Sequence, residues 1–363
     1  MTLDARRPRS IIAIASLALV LSTSGCNGDD ASPPVAGPTT QTPTPTLTPS
    51  TPSSPPSPTT PSTTPSSTPS AVKVTQKRPG WALDRIDQRK RPLDQRFTTA
   101  NQGQGVTVYI VDGLFDVKNP DFGGRATVGL PTGTACNLED GTNHGLFVAG
   151  LVAGSRTGVA KRAKIVSVGD SYQCEGGSEA TPAQRTARIV KALDWVAENA
   201  KKPAVVNLSL NIADSPPTFK AAVKQLIDKG LTVVASAGND GEDACQHPPA
   251  GLPTVVTAAA MTQTDEDAGL NYGRCVDLYA PAENLTSLAD ASLSPNRLIT
   301  SDFAATSWAA PLVSGTAALY LSAHPTASPA EVRTWLIDNS TKGVVKGNLR
   351  GSPNRLLFTG GPL

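Results

Sequence analysis

The chain has no excess of charge of either sign: 32 Lys and Arg stand against 30 Asp and Glu, a net +2. A nucleic-acid binder of the usual kind carries a basic excess, so that class is excluded. From residue 71 onward no apolar run reaches 18 residues, and no membrane-spanning helix is expected there. No segment repeats another, which excludes a solenoid or propeller. Histidine is scarce, three in 363 residues, so candidates for a base working near neutral pH are few. Residues 31–70 lack charge and aromatic side chains, and they hold 13 of the 32 prolines among Ser and Thr. Without apolar side chains such a stretch cannot offset its chain entropy. Frequent proline favours polyproline II at about 3.1 Å per residue, so forty residues reach roughly 100 Å. Residues 27–75 are therefore expected to be a disordered stalk.

What is present begins with an export pattern. Arg6, Arg7 and Arg9 precede an apolar run from Ile11 to Leu21, and the small residues Ser22, Thr23, Ser24 and Gly25 follow. A basic start, a short apolar middle and a small-residue end mark residues 1–26 as a secretory signal peptide. Cys26 resembles the acylated cysteine of bacterial lipoproteins, with Thr23 standing where those signals usually carry Leu. Four of the five cysteines (Cys136, Cys174, Cys245 and Cys275) lie further on, and Cys26 is the odd one left at the signal's end. A lipid on Cys26 accounts for that odd thiol; the alternative is ordinary cleavage with Cys26 lost or free. The expected location is the cell envelope through a lipid anchor, or the extracellular space, with the membrane touched only through that anchor.

The remaining part, about 290 residues, is long enough to bury a large core. Strands are expected at 106–111, 164–168, 204–210, 231–235 and 254–258, each rich in Val, Leu and Ile without polar alternation, as strands buried on both faces are. Helical patterns fall at 183–200, at 219–229 before Gly230, and from Thr306 to Ser322. This alternation predicts an α/β domain with a mostly parallel sheet and helices on both faces. Ligands in such sheets bind at the carboxyl ends of the strands.

Four segments stand at those ends. Val108-Tyr-Ile-Val-Asp112-Gly113 closes a strand with a carboxylate, and Asn143-His144-Gly-Leu-Phe-Val-Ala-Gly150 opens a small-residue helix with an imidazole. Val234-Ala-Ser-Ala-Gly-Asn239-Asp240 closes a strand with an amide, and Ala305-Thr-Ser307-Trp-Ala-Ala-Pro311 sets a hydroxyl at a helix start. Pro311 is read as lying in the first turn, where proline is tolerated. Acyl transfer needs this set. A serine hydroxyl is a poor nucleophile until an imidazole takes its proton, and the imidazole needs a carboxylate to fix its tautomer and stabilise its cation. The tetrahedral oxyanion then needs preplaced donors, which an Asn amide and a helix N-terminal N–H supply. His247 and His324 each sit beside a proline in loop-like sequence, which leaves His144 as the base. Singly, each segment reads as a turn, a cap or a loop; together, in the order Asp, His, Asn, Ser, they read as one site.

That order and its surrounding residues resemble the subtilisin-like serine peptidases (subtilases), of the proteinase K-like branch and most similar to aqualysin-type bacterial enzymes. The likeness spans residues 80–358. It includes Trp81-Ala-Leu-Asp-Arg-Ile-Asp-Gln-Arg89, Gly158-Val-Ala-Lys161, Asn271-Tyr-Gly-Arg-Cys-Val-Asp-Leu-Tyr-Ala-Pro281 and Gly351-Ser-Pro-Asn-Arg-Leu-Leu357. The resemblance implies a three-layer subtilisin-like fold over 76–363, with Asp112, His144 and Ser307 as the triad. Asn239 and the Ser307 backbone N–H would form the oxyanion hole. It implies that an extended peptide or protein substrate pairs with Ser209, Leu210 and Asn211 and with Gly176, Gly177 and Ser178, as an added strand. Four cysteines allow three pairings; the resemblance implies Cys136–Cys174 and Cys245–Cys275, which an exported compartment lets persist. It implies no cofactor for catalysis, a monomer, and a structural calcium at Asp84, Asp87, Gln88 and Asp94, oxygen ligands suited to a hard cation. Arg96 occupies a further ligand position of that site.

The departures from the family pattern gather around the chemistry. Gly113 follows Asp112 where a hydroxyl residue is usual, His-Gly-Thr-His reads His144-Gly-Leu-Phe147, and Gly-Thr-Ser-Met reads Ala305-Thr-Ser307-Trp308. Ser-Leu-Gly-Gly reads Ser209-Leu-Asn211-Ile212, which is expected to place two side chains in the cleft. Residues 27–80 leave no room for a folded inhibitory pro-domain. The expectation is an exported, membrane-tethered serine endopeptidase with an atypical cleft. The alternative is a catalytically weak or silent module of the same fold that binds peptides or partners at the cell surface.

Overall fold

A computed structural model describes residues 73–132, 142–169, 181–294 and 296–360. The expected signal peptide, Cys26, nearly all of the expected stalk, Cys136, Cys174 and Gly176–Ser178 lie outside the described residues. In chain order the first half holds β1 (Val74–Lys77), α1 (Trp81–Ile86), β2 (Arg96–Thr99), β3 (Thr107–Asp112), β4 (Ala126–Leu130), α2 (His144–Ala153), β5 (Lys164–Gly169), α3 (Pro182–Asn199) and β6 (Ala204–Leu208). The second half holds α4 (Pro217–Asp228), β7 (Thr232–Ser236), β8 (Val256–Met261), β9 (Leu278–Pro281), β10 (Thr286–Leu288), β11 (Leu298–Thr300), α5 (Thr306–Ala323), α6 (Pro329–Asn339), β12 (Thr341–Lys342) and β13 (Arg355–Leu356).

A nine-stranded sheet runs β12-β13-β9-β8-β7-β6-β3-β5-β4. Every pair in it is parallel except β12 with β13. The five expected strands are β3, β5, β6, β7 and β8, with ends shifted by up to three residues. Successive side chains of a strand point to opposite faces, and the core divides accordingly. Val108 and Ile110 of β3, Val205 of β6 and Val234 of β7 pack in one cluster with α2 and α5. Tyr109 and Val111, Val206 and Leu208, Val233 and Ala235 pack in a second cluster with α3 and α4. The result is three layers, helix, sheet, helix, as expected for this α/β class.

The two helix layers differ in kind. All ten residues of α2 are buried and so are most of those in α5, so these helices are apolar all round and run inside the molecule. α3 and α4 show one apolar face and one exposed face. α3 starts on a capping box, with Thr181 and Gln184 each accepting from the other's backbone N–H, and Pro182 takes the first turn. Ahead of the sheet, β1 pairs antiparallel with β2, in register from Val74 with Thr99 to Lys77 with Arg96. Behind it Lys161 donates to Gly158 O at 2.6 Å, and burial pushes its ammonium down to about 8, with Asp121 working in the opposite direction.

Candidate active site

Asp112 ends β3 at the carboxyl edge of the sheet and is 3% exposed. His144 opens α2, and its Nδ1 lies 2.9 Å from Asp112 Oδ1 and 2.8 Å from Oδ2. A carboxylate only accepts, so this contact selects the tautomer with its hydrogen on Nδ1 and leaves Nε2 as the basic nitrogen. Three features hold the pair. The Gly113 N–H donates to Asp112 Oδ1 at 2.7 Å, a backbone donor that holds the carboxylate without the side-chain hydroxyl usual at this position. Asn143 caps α2 by accepting from Leu146 N at 2.8 Å, while its Nδ2 donates to Leu114 O at 3.1 Å. A Cβ on Gly145 would stand 2.3 Å from Gly113 O, so only glycine lets α2 approach the turn after Asp112 this closely.

Ser307 occupies the first turn of α5 and is 5% exposed. Pro311 lies beyond that turn, inside the helix, in contrast to the expectation. Proline has no N–H to give the carbonyl four residues back, and Ser307 O instead accepts from Ser209 Oγ at 3.0 Å. Ser307 Oγ donates to Ser209 O at 3.2 Å, so the two serines are stitched to each other twice. The stitch continues inward: Asn207 Nδ2 donates to Ser209 Oγ at 3.0 Å, and Ser314 Oγ donates to Asn207 Oδ1 at 2.8 Å. The end of β6 and the buried helix α5 are thereby locked through groups with no water to fall back on.

Asn239 follows β7. Its Oδ1 accepts from Thr306 N and from Thr306 Oγ1, both at 2.9 Å, which turns its amide nitrogen away from the helix backbone. The loop carrying it is clamped by Asn271. That side chain donates to Ala237 O at 3.0 Å and accepts from Asp240 N and Glu242 N at 2.9 and 3.0 Å. Nothing local in the sequence gives Asn271 a role of its own. Its positioning task becomes visible only when residues 29, 31 and 34 positions away are folded against it.

Among the cleft residues, Ser209 and Leu210 are buried, and Leu210 packs in the second core cluster. Asn211 is half-buried, with Nδ2 3.4 Å from both the backbone oxygen and Oγ of Ser236. It also lies 3.1 Å from where a Cβ on Gly238 would stand. Ile212 corrects the expectation that both new side chains enter the cleft. It is 6% exposed and packs in the second core cluster, on a loop segment past β6 that is held by its backbone N–H donating to Pro248 O at 2.7 Å.

The residues expected around calcium lie on one turn. Asp84 accepts from Asp94 N and Gln95 N, and Gln88 Oε1 also accepts from Asp94 N. Asp87 Oδ2 accepts from Thr98 N, while its Oδ1 is buried without a partner. Burial pushes the Asp87 carboxyl up to about 7, with the charges of Asp94 and Asp84 adding to it, and burial also raises Asp84. An orphaned carboxylate oxygen beside a second carboxylate is a donor chemistry that fits a hard cation. Asp94 is exposed, and among the described residues no three His, Cys, Asp or Glu side chains close around a point. Of the two implied disulfides, Cys245–Cys275 is formed, with S–S 2.12 Å and Cα–Cα 5.3 Å.

A buried carboxylate–imidazole pair, a hydroxyl on a buried helix terminus and an anchored amide are together able to carry acyl transfer. Comparison with known proteins identifies the family of the chain. The profile of the Subtilase family matches residues 103–354. The chain is 40% identical over 284 residues to the extracellular serine proteinase of Thermus sp. (strain Rt41A), covering 77% of this chain and 66% of that protein. It is 35% identical over 282 residues to the alkaline serine exoprotease A of Vibrio alginolyticus, covering 77% of this chain and 50% of that one. Among solved structures, a cold adapted subtilisin-like serine proteinase superimposes with a TM-score of 0.68 at 33% identity, over 78% of this chain and 99% of that chain. The chain thus matches only half to two thirds of the length of these two curated relatives.

Proposed function

The chain belongs to the subtilase family, and from that premise we propose that it is an exported serine endopeptidase that hydrolyses peptide bonds through an acyl-enzyme. The observation that carries this reading is the buried Asp112–His144 contact at 2.8 Å beside α5, whose first turn bears Ser307. In the proposed reaction Ser307 Oγ turns from Ser209 O toward His144, gives its proton to Nε2 and attacks the scissile carbonyl carbon. Asp112 holds the Nδ1–H and stabilises the imidazolium. The carbonyl oxygen, now an oxyanion, is held by Asn239 Nδ2 and the Ser307 N–H, whose helix terminus adds favourable field. Collapse of the intermediate transfers the proton from His144 to the leaving amine. Water then repeats the sequence on the ester and frees Ser307.

Peptide and protein chains are the proposed substrates, laid along Ser209–Asn211 as an added strand. Asn211, bridging toward Ser236, narrows the cleft on that side and favours small side chains there. A structural calcium held by Asp84, Asp87, Gln88 and Asp94 would relieve the carboxylate repulsion on that turn and takes no part in the reaction. The export signal, the lipid on Cys26 and the stalk of residues 27–75 are proposed to hold the domain away from a membrane surface.

One observation favours a second reading, peptide binding without turnover: the hydroxyl of Ser307 spends its hydrogen bond on Ser209 O. Labelling the protein with a fluorophosphonate, beside Ser307→Ala, separates the two. Labelling that disappears in the variant is the expected result; a folded wild-type protein that does not label refutes the enzyme reading.

A further inference from the structure

Trp308 follows the proposed nucleophile directly, and its side chain is 1% exposed. Its ring centroid lies 5.2 Å from that of His144, at an interplanar angle of 35°. Phe147, one turn along α2 from His144, packs against the indole from 4.3 Å, and Phe303 covers it from 5.9 Å. The indole is thus wedged between α2 and α5, with His144 on one side and two phenyl rings around it. It is held there against a cost. Nε1 of Trp308 is buried and has no hydrogen-bond partner among the described residues, and an unpaired buried donor is destabilising. A Met or Leu would fill the space without that penalty.

The imidazole itself is in a demanding place. His144 is 4% exposed, and burial disfavours the imidazolium that must form when a proton is taken up. The charged group facing it from β3 is Asp112. What α5 packs against it is the neutral Trp308, and α2 adds the neutral Phe147 behind the indole. The face of an indole carries negative potential and attracts a cation within about 6 Å, more strongly where water is absent. Resting on the reading of His144 as general base, we propose that Trp308 is a positioning residue that stabilises the protonated imidazole of His144 through its π-face and keeps water from it. Asp112 then works on the Nδ1 edge of the ring and Trp308 on its face, one by charge and one by polarisable surface.

The experiment is an NMR titration of the imidazole resonances in the full chain, wild type beside Trp308→Leu and Trp308→Phe, with the pH profile of kcat/KM on a peptide ester measured in parallel. Only three histidines need resolving, and His144→Gln assigns the signal. Trp308→Leu should lower the His144 midpoint by about half to one pH unit, a size between that of an exposed and that of a fully desolvated cation–π contact. Trp308→Phe, which keeps a π-face and removes the orphaned N–H, should restore most of that shift. The acid limb of kcat/KM should move with the midpoint. A folded Trp308→Leu protein whose His144 midpoint stays put overturns the inference and leaves the indole a packing residue. Should Trp308→Leu not fold, Trp308→Met, nearer in volume, gives the same comparison. A wild type that fails to label with fluorophosphonate, yet whose variants shift the His144 midpoint as stated, supports this inference while sinking the nucleophile reading.

Discussion

At the scale of single residues, the site depends on groups whose hydrogen bonds are already spent in fixed directions. Asn239 is the clearest case. Its oxygen is committed to Thr306, so its nitrogen needs no reorganisation to meet an oxyanion, and preorganisation of that kind is where such donors act. Asn239→Ala should lower kcat about 10²–10³-fold with KM little changed; a loss below tenfold, measured on a peptide substrate, would place the oxyanion donor elsewhere. Lys161 carries a pH signature of its own. Its folded value near 8 lies below the ordinary 10.5, so the unfolded chain binds more protons between the two. Its contribution to stability is therefore complete above pH 10.5 and is lost as pH falls to 8. Denaturant unfolding of wild type against Lys161→Met should show the wild type gaining relative stability as pH rises through that window. Asp112, His144, Asn239 and Ser307 were all legible in the sequence, because each sits at the end of a strongly patterned element and is chemically distinctive. Asn271 and Asn143 were not assigned tasks, since an asparagine in a loop or at a cap looks the same whether or not it clamps a neighbour.

At the scale of elements, the distance between α2 and α5 decides whether the proposed base and nucleophile can meet. α5 comes close to its neighbours at Gly315, where a Cβ would stand 2.6 Å from Val159 Cβ and 3.2 Å from Val152 O. Gly315→Ala must push α5 away from α2, and overpacking of this kind costs about 1–3 kcal/mol. Thermal unfolding should report that loss, with a fall in turnover larger than the fall in stability explains, because the same shift separates Ser307 from His144. The elements themselves were largely legible. Unbroken Val, Leu and Ile runs marked β3, β5, β6, β7 and β8, and their ends differed where polar residues such as Ser236 or Asp112 continue the ladder. The short strands β9 to β13 are not legible, because two to four residues carry too little pattern.

At the scale of the whole molecule, the Cys245–Cys275 bridge closes a 30-residue separation that includes β8 and the Asn271 clamp. In the chain-entropy account a loop of that size is worth about 3–4 kcal/mol. Replacing both cysteines by alanine should lower the urea midpoint accordingly and loosen the loop carrying Asn239; an unchanged midpoint would mean the packing alone holds that region. The amino-acid sequence by itself determined the class of fold, the order of the layers and the identity of the chemical groups. Those follow from unbroken apolar runs that mark buried strands, from helical apolar patterns, and from residue types that few other roles require. The tertiary structure decided the rest. It turned Ile212 into the core, gave the Ser307 carbonyl freed by Pro311 to Ser209, and brought the Trp308 ring within 5.2 Å of the His144 imidazole. Each of these joins residues far apart in the chain, 98 positions in the case of Ser209 and Ser307. They arise because strand register and helix packing bring whole surfaces together, and no local pattern encodes which side chains then meet.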